Sequence, residues 1–361
     1  MTTRAIERSD TPARRAARAE PMADYRITLG GRDISRRFLP RLESLTLTES
    51  RSDEADTVDL VLDDSRGDLA LPKRGDEIKV SIGWLGEQLV DKGTFVVTEF
   101  EHNGAPDTLV VRARSASMSN GMQERREKSW HKQTIGSIVR AIAARYKLTP
   151  AVGDALAKIV IAHIDQTHES DMSFLTRLAK RYDAVMNVKD KRLMFMPIGT
   201  GKTVSGKPLR ALNLTRASGD QHGYHVSERE NYAAVRAHYH SNGKAKRKSV
   251  IVGGENNKNV KVLPEDYATE AEARAAAQAE FKRLQRSQGT LRYSLARGRA
   301  ELFPEMPVTV SGFKPEIDET AWLVKKATHT IDGNGGFVTG LELEMRDDPT
   351  TDRHRSHFRN K

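Results

Sequence analysis

The sequence of 361 residues contains no cysteine, and aromatic residues make up only 6% of it. Without cysteine there is no disulfide framework, no thiolate metal site and no cysteine nucleophile, which favours a chain that folds in a reducing cytoplasm. Long apolar runs are missing as well: the longest, such as residues 159–162, span about four residues, whereas a membrane-spanning helix needs about 18. We therefore predict no membrane insertion.

The chain is moderately basic, with 59 Lys and Arg against 49 Asp and Glu, a formal net charge of +10. Its length suits two to three domains of about 100–200 residues each. Residues 1–21 carry five Arg against three acidic residues and no apolar segment. They are expected to form a disordered basic arm rather than a secretory signal, and residues 347–361 a polar, basic tail.

Residues 22–118 alternate between apolar and polar side chains, which is typical of half-buried strands. Turn residues such as Arg74-Gly75-Asp76 separate the alternating segments. The pattern predicts a first antiparallel β-barrel or sandwich module. Its predicted inward-facing residues are Tyr25, Ile27, Leu29, Leu45, Leu47, Val58, Leu60, Leu62, Ile78, Val80, Ile82, Trp84, Phe95, Val97, Leu109 and Val111.

Residues 119–205 change to a helical period and predict an α/β module. One helix is expected after the candidate N-cap Thr134, stopping at Thr149-Pro150. A second helix is expected to begin at Ser170. The predicted apolar faces of the two helices consist of Ile135, Ile138, Val139, Ile142 and Tyr146, and of Phe174, Leu175, Leu178, Ala179 and Tyr182.

Strand patterns return in residues 206–346, which predict a second β-barrel module with one helix over residues 269–288. Thr269 and Glu272 have the spacing of a capping box, and Gly289 is expected to end the helix. Residues 233–240 predict a strand.

Two parts of the chain resemble each other. Residues 71–84 and 302–313 share a proline, a short link, an alternating strand and a glycine followed by an aromatic residue. Residues 94–97 match 321–324, and the offset drifts from about 230 to about 227 across these first two blocks. His102 also matches His329, and residues 109–111 match 341–343. Chance similarity between strand-turn-strand segments is the alternative. We interpret the pattern as two copies of one β module, so that three chains would present six modules to a sixfold partner.

Residues 169–179 begin Glu-Ser-Asp and continue with Phe-Leu-Thr-Arg-Leu, a helix that resembles one in the phage late control D family. The closing strands resemble the same family through Gly312-Phe313, residues 322–324, His329, Gly335-Gly336 and residues 341–343. With the Gly75-Asp76 hairpin, the resemblance covers roughly residues 22–346. Proteins of this family form the baseplate hub of contractile tails and are similar to the first part of type VI secretion spike proteins.

The resemblance implies a homotrimer with two tube-like barrels per chain and an α/β module between them. Such a pseudo-sixfold ring would join a hexameric tail tube protein to a trimeric central spike protein during tail assembly, beside other baseplate proteins. The expected location is the virion tail baseplate, after assembly in the host bacterial cytoplasm. Because only a short polar tail precedes Lys361, the spike is expected to be a separate polypeptide. Residues 1–21 depart from the family pattern, and Met22 is an alternative start.

Several motifs suggest chemistry that their context does not support. Residues 199–203 resemble the end of a phosphate-binding loop, but Met196 occupies the place of the first glycine and no helical pattern follows. They are interpreted as a turn between modules. Four histidines suit zinc as a residue type, but on the predicted strand His238 and His240 share a solvated or interface face with Arg236. The four are His222, His225, His238 and His240.

Two other functions stay open at this point. A tail-associated cell-wall hydrolase would need a carboxylate pair such as Glu228 and Glu230, but no aromatic sugar platform accompanies it. A basic nucleic-acid-binding protein could use residues 244–248 and the basic tail, although no recognition helix goes with them. The basic tail residues are Arg353, Arg355, Arg359 and Lys361.

The sequence as a whole predicts an α+β, mainly β structural protein that is not an enzyme. We assign no catalytic, cofactor-binding or metal-binding residue, no cofactor and no stable nucleic acid complex.

Overall fold

The computed structural model describes residues 21–51, 55–115, 121–189, 191–203, 206–227, 232–240, 247–254 and 259–346. The predicted arm and tail therefore lie outside the described residues, apart from residue 21. The first part of the chain forms β1 (Ala23–Leu29), β2 (Arg32–Asp33), α1 (Ser35–Phe38), β3 (Leu42–Ser50), β4 (Thr57–Asp63), β5 (Glu77–Trp84), β6 (Val90–Asn103) and β7 (Thr108–Ser115).

The middle of the chain mixes strands and helices. It forms β8 (Arg125–Thr134), α2 (Ile135–Arg145), β9 (Thr149–Val152), α3 (Asp154–Ala157), β10 (Val160–Ser170), α4 (Asp171–Arg181), β11 (Ala184–Lys189) and β12 (Arg192–Pro197).

The last part returns to strands. It forms β13 (Leu212–Thr215), β14 (Gly219–Val226), β15 (Ala234–His240), β16 (Arg247–Gly253), β17 (Val260–Tyr267), α5 (Glu270–Ser287), β18 (Gly289–Leu295), β19 (Pro307–Ser311), α6 (Pro315–Asp318), β20 (Trp322–Asp332) and β21 (Phe337–Met345).

One 13-stranded sheet runs through both ends of the chain. Its strand order is β14-β18-β21-β20-β3-β4-β7-β6-β5-β1-β2, with β19 paired to β20 and β13 paired to β19. Smaller sheets contain β8 with β10, β9 with β11 and β12, and β15 with β16 and β17. The chain is thus mainly β with separate helices, which confirms the predicted α+β class.

Four apolar clusters hold these sheets together. The predicted inward-facing residues of the first part are buried, except that Leu29 packs at its edge. A second cluster lies between α2, α4 and the strands of the middle part. A third fills the last strands around Trp322. The fourth lies between α5 and the sheet of β15, so the predicted strand 233–240 belongs to a separate three-stranded unit with its own core.

The helix starts agree with the sequence, whereas one stop signal was wrong. Thr134 caps α2, its Oγ1 accepting the Ser137 N–H at 3.0 Å, and Ser170 caps α4 by accepting the Ser173 N–H at 3.1 Å. Helix α2, however, ends at Arg145, before the predicted stop. Pro150 lies instead in β9, which pairs in parallel with β12. Since proline fixes a φ value that strands tolerate, it fits this edge position.

The capping box at α5 is only half formed. Thr269 Oγ1 accepts the N–H of Glu272 at 3.2 Å, as predicted. The Glu272 carboxylate does not reach back to Thr269, because it accepts the Ala162 N–H at 3.1 Å and the Arg181 guanidinium at 3.0 Å. A charged partner gives a stronger hydrogen bond than a backbone amide, so Glu272 ties α5 to the middle of the chain. No helix among these residues combines the length and apolar character that crossing a membrane requires.

Candidate functional site

The two ends of the chain meet where β20 pairs with β3. The pairing is antiparallel and places Thr328 opposite Thr48, His329 opposite Leu47 and Ala327 opposite Glu49. This contact, called here the junction, makes a single sheet from the strands that precede residue 116 and six strands of the last part, β13, β14 and β18 to β21. Each strand has two hydrogen-bonding edges. β3 pairs with β4 along one edge and β20 pairs with β21 along one edge, so the junction uses the other edge of each strand.

Apolar side chains reinforce the junction next to the strand pairing. Phe337 and Ile331 of the last strands are buried in the cluster of the first part. The rings of Trp84 and Phe337 lie 5.3 Å apart, and Trp84 Nε1 donates to the Gly298 carbonyl at 2.9 Å. A Cβ added to Gly298 would lie 2.3 Å from the Phe337 ring, so only glycine allows this approach. Side chains from the last part of the chain therefore complete the core of the first part.

A buried ion pair lies at the centre of the junction. Lys92 Nζ donates to Glu49 Oε2 at 2.5 Å and to the Leu302 carbonyl at 3.2 Å, and it lies 3.1 Å from His329 Nε2. The side chains of Lys92 and Glu49 are 3% and 2% exposed, and that of His329 is fully buried. An ammonium group has three donors, and the three acceptors satisfy all of them.

The protonation states follow from burial and charge. Burial alone would raise the pKa of Glu49, but the charges of Lys92 and Lys189 hold it well below its usual range. Burial, aided by the Lys92 charge, lowers the pKa of His329. A neutral imidazole can accept from Lys92 at Nε2 and donate from Nδ1 to Thr339 Oγ1, 3.0 Å away. The cluster therefore carries one negative and one positive charge at its centre.

The middle of the chain joins this cluster through Lys189. Its Nζ donates to Glu49 Oε1 at 3.0 Å and lies 3.9 Å from Asp56 Oδ2. Burial, with the Glu49 charge adding to it, raises the pKa of Asp56 to about 6, although Lys189 opposes the shift. A cavity of about 290 Å³ borders these groups and is lined by Met194 among others.

A second buried ionic group connects three parts of the chain. Arg51 Nη1 donates to Glu344 Oε1 at 2.5 Å and Arg51 Nε pairs with Glu305. Arg286 of α5 shares Glu344 at 3.0 Å and also donates to Asp183 Oδ2 at 2.8 Å. Burial raises the pKa of Glu305, although Arg51 opposes this. Charges from β3, β21, α5 and the loop after α4 thus meet in one network.

The strands on the two sides of the junction pair in the same order. The first part runs β3-β4-β7-β6-β5-β1 and the last part β14-β18-β21-β20-β19-β13. One difference is that β1 pairs with β5 antiparallel, whereas β13 pairs with β19 in parallel. The shared order supports the interpretation that the chain contains two copies of one β module.

The irregularities of the two copies agree as well. The β6–β7 ladder shifts between Val97 and Glu99, and the β20–β21 ladder shifts between Val324 and Lys326, each 227 positions later. The β3–β4 ladder shifts between Leu42 and Ser44. The β14–β18 ladder shifts between Gly219 and Gln221, each 177 positions later. Bulges interrupt pairing at defined places, so the two matches fix which residues of the copies correspond.

The register corrects part of the sequence comparison. His102 lies opposite Leu109, and His329 lies opposite Thr339. Leu109 therefore corresponds to Thr339, not to Leu341. The β20–β21 hairpin is longer than the β6–β7 hairpin, so the alignment of the two sequences was displaced by two residues. A displacement of two leaves the alternation of apolar side chains unchanged, so the pattern did not reveal it.

The two matched histidines differ in their surroundings. His102 is exposed and lies 3.2 Å from Asp64 Oδ2, whereas His329 belongs to the buried cluster. His102 thus contacts the residue that follows β4, whereas His329 lies in the buried cluster of the junction.

The four candidate metal histidines lie in two different sheets. His222 and His225 are on β14, and His238 and His240 are on β15. His222 packs edge-on against the Phe313 ring, 5.0 Å away. On β15, Val235 and Ala237 are buried and the two histidines face the other way, as the alternation predicted.

The glycine loop of residues 199–203 binds a carboxylate of its own chain. The Gly199 N–H donates to Glu305 Oε2 at 2.8 Å, and Gly199 and Gly201 have φ values of 76° and 58°. These values agree with the predicted turn. Glu228, Glu230, residues 244–246 and the basic tail lie outside the described residues.

The buried charges of the junction were not predicted from the sequence. Glu49 continues the inward-facing alternation of Leu45 and Leu47, so a carboxylate at this position was a usable signal. Lys92 gave no comparable signal, because its partner lies on a strand 43 residues away in sequence.

Comparison with known proteins gives consistent matches. The model of the phage tail baseplate hub (GPD) family matches residues 56–335. A protein of Escherichia phage 186 named "Probable baseplate hub protein" is 43% identical over 362 residues, covering 89% of this chain and 92% of that protein.

Solved structures agree at the level of the fold. The crystal structure of the 43 kDa tail protein of prophage MuSo2 from Shewanella oneidensis has a TM-score of 0.66 at 15% identity, covering 90% of this chain and 98% of that chain. The E. coli c3393 protein, described as a type VI secretion component, has a TM-score of 0.54 at 13% identity, covering 89% and 77%.

Proposed function

The chain belongs to the phage tail baseplate hub family and is a structural protein of the virion tail, and we propose that it acts as a homotrimer with a pseudo-sixfold ring of β modules. The modules would comprise residues 22–118 and 206–346, with residues 119–205 as an α/β module between them. The observation that carries the proposal is the junction, where two modules with the same strand order join edge to edge within one chain.

Closure of the ring follows from repeating the junction. A contact between two different edges of the same kind of unit generates a ring when its rotation closes. If each junction turns the sheet by one sixth of a full turn, six modules close the ring, and three chains supply six modules. Half of the contacts would then lie within chains and half between chains.

The proposed ring gives the hub its role in the baseplate. Six similar modules match a hexameric tail tube protein, while the threefold repeat of whole chains matches a trimeric central spike protein made as a separate polypeptide. Other baseplate proteins would bind the outer surface. The buried charges of the junction support this role, because a ring that matches six modules to its partners requires modules held at a fixed angle.

The mass of the purified chain in solution tests this proposal. Light scattering should give a mass close to about 121 kDa, three times the 40.3 kDa of one chain. The measurement is made at low and high salt, alone and with the spike protein. A trimer that forms alone or with the spike supports the proposal, and a monomer that stays monomeric with the spike contradicts it.

A further inference from the structure

Among the strand edges of the large sheet that have no neighbour in the described residues, two lie on β14 and β6. Strand β14 ends the sheet and pairs only with β18. Residues 99–103 of β6 pair only with β7, because the pairing of β5 with β6 ends at Val96. Unpaired strand edges are templates for association with another chain.

The correspondence between the modules identifies these two edges as partners. β14 occupies in the second module the place that β3 occupies in the first, and β6 occupies the place of β20. Within the chain, β3 and β20 form the junction. The free edges of β14 and β6 therefore correspond to the edges through which β3 and β20 pair with each other.

We propose that β14 of one protomer pairs antiparallel with residues 99–103 of β6 in the next protomer, in the register of the junction. This inference rests on the proposed trimer and assigns its contact. Thr48 corresponds to His225, 177 positions later, and Thr328 corresponds to Glu101, 227 positions earlier. The pair Thr48–Thr328 of the junction therefore becomes His225 opposite Glu101 between protomers.

The side chains that this register brings together are compatible. The same correspondence places Val226 opposite Phe100, where the junction has Glu49 opposite Ala327. Val226 is 49% exposed, and Phe100 is partly buried at the edge of the first core. Their contact would remove apolar surface from water. The Glu101 carboxylate already accepts from Arg112 Nη1 at 2.6 Å, and its lone pairs can also accept a hydrogen bond from the His225 imidazole.

The junction also shows which pairs can carry a disulfide. The Arg51 N–H donates to the Lys325 carbonyl at 3.2 Å, so this pair is hydrogen-bonded and, by alternation, Thr48–Thr328 is not. Residues of a non-hydrogen-bonded pair have Cα atoms about 4.5 Å apart, within the range that a disulfide accepts. Because the chain has no cysteine, every disulfide would come from the introduced residues.

Cysteine cross-linking of the full chain tests the register. Glu101→Cys with His225→Cys should convert most of the oxidised protein into covalent species of up to three chains on a non-reducing gel. Thr48→Cys with Thr328→Cys, the internal counterpart, should cross-link within the monomer. Glu101→Cys with Gly223→Cys, two residues out of register, should cross-link at least severalfold less. A Cβ at Gly223 meets no atom within 4 Å, so this control should fold.

The outcomes separate the register from the trimer. The experiment is run on the chain alone and co-expressed with the spike protein, with the mass measured in parallel. A trimer in which Glu101→Cys and His225→Cys stay unlinked, or in which the out-of-register pair links better, overturns the proposed contact but leaves the trimer. A monomer under both conditions overturns both proposals.

A surface substitution gives an independent measurement. Val226→Asp would place a charge in the apolar contact with Phe100, which is costly without a partner, and should raise the dissociation constant of the trimer at least about tenfold. Val160→Asp on β10, also at an exposed valine, is the matched control and should leave the mass unchanged. Circular dichroism checks that both variants fold. A trimer unaffected by Val226→Asp contradicts the proposed contact.

Discussion

Arg51 and Glu344 lie 293 residues apart in the sequence and form a buried ion pair, with 2.5 Å between Nη1 and Oε1. The pair links the end of β3 to β21, and Arg286 of α5 approaches the same carboxylate at 3.0 Å. Since a charge buried without its partner is strongly destabilising, these residues hold the two β modules and α5 in one arrangement.

We expect strong coupling between Arg51 and Glu344. A double-mutant cycle with Arg51→Met and Glu344→Gln, measured by urea unfolding, should give an interaction energy of about 1–3 kcal/mol. The control is the exposed pair Arg274–Glu270 of α5, for which about 0.3–0.5 kcal/mol is expected. Equal coupling in the two cycles would show that the buried network does not fix the junction.

Removing the charge of Glu49 should destabilise the junction. Glu49→Gln leaves Lys92 buried without a counter-charge, at a cost of about 3–5 kcal/mol in the free energy of unfolding. Glu43→Gln, on the same strand but exposed, should change it by less than about 0.5 kcal/mol. The midpoint of urea unfolding, followed by tryptophan fluorescence, measures both. A Glu49→Gln variant as stable as Glu43→Gln would refute the central role of this ion pair.

We expect the Glu49 carboxylate to make the protein less stable in acid. The pKa of Glu49 is lowered on folding from its ordinary value of 4.5. The stabilisation is therefore present above pH 4.5 and is lost as the pH falls below it, because the folded state must then take up a proton that it holds weakly. Unfolding free energies between pH 6 and pH 3 should fall more steeply for the wild type than for Glu49→Gln. Parallel curves would contradict this assignment.

The ionisation of Asp56 should change the free energy of unfolding in the opposite direction, between about pH 4 and pH 6. Folding raises its pKa from 3.8 to about 6, so its contribution falls as the pH rises from about 4 to about 6. Asp56→Asn keeps an oxygen that can accept the Ser50 N–H and removes the charge. At pH 7 it should be more stable than the wild type by about 1–3 kcal/mol. Asp154→Asn, at an exposed carboxylate, is the control. A less stable Asp56→Asn would contradict the prediction.

The apolar part of the junction should be equally sensitive to truncation. Phe337 is 1% exposed and packs against Trp84, so Phe337→Ala should cost about 3–5 kcal/mol. The neighbouring Val338 is 39% exposed, and Val338→Ala should cost less than about 0.5 kcal/mol. Thermal or urea unfolding distinguishes the two. Similar effects would indicate that the modules do not share a core.

The elements were predictable where a local pattern determines them. Alternation identified the strands of the first part, and the caps Thr134, Ser170 and Thr269 identified three helix starts. The stop of α2 was wrong because Pro150 fits a parallel strand as well as it ends a helix. A local rule cannot choose between these two outcomes.

The junction required contacts that no local pattern contains. The repeat predicted two similar modules, but not that β20 of one would pair with β3 of the other, since strands so distant in sequence share no turn that sets their register. The partners of Lys92 and Arg51 are likewise distant. Only an inward-facing carboxylate at Glu49 indicated that the strand ends at a buried polar contact.

The proposed ring closes six β modules through equivalent junctions within and between chains. End-on cryo-electron microscopy of the purified hub, alone or with its spike protein, tests this directly. We expect six lobes of similar size around a threefold axis, with β14 of each protomer beside β6 of the next. A ring without the sixfold repeat, or protomers that meet through other surfaces, would contradict it.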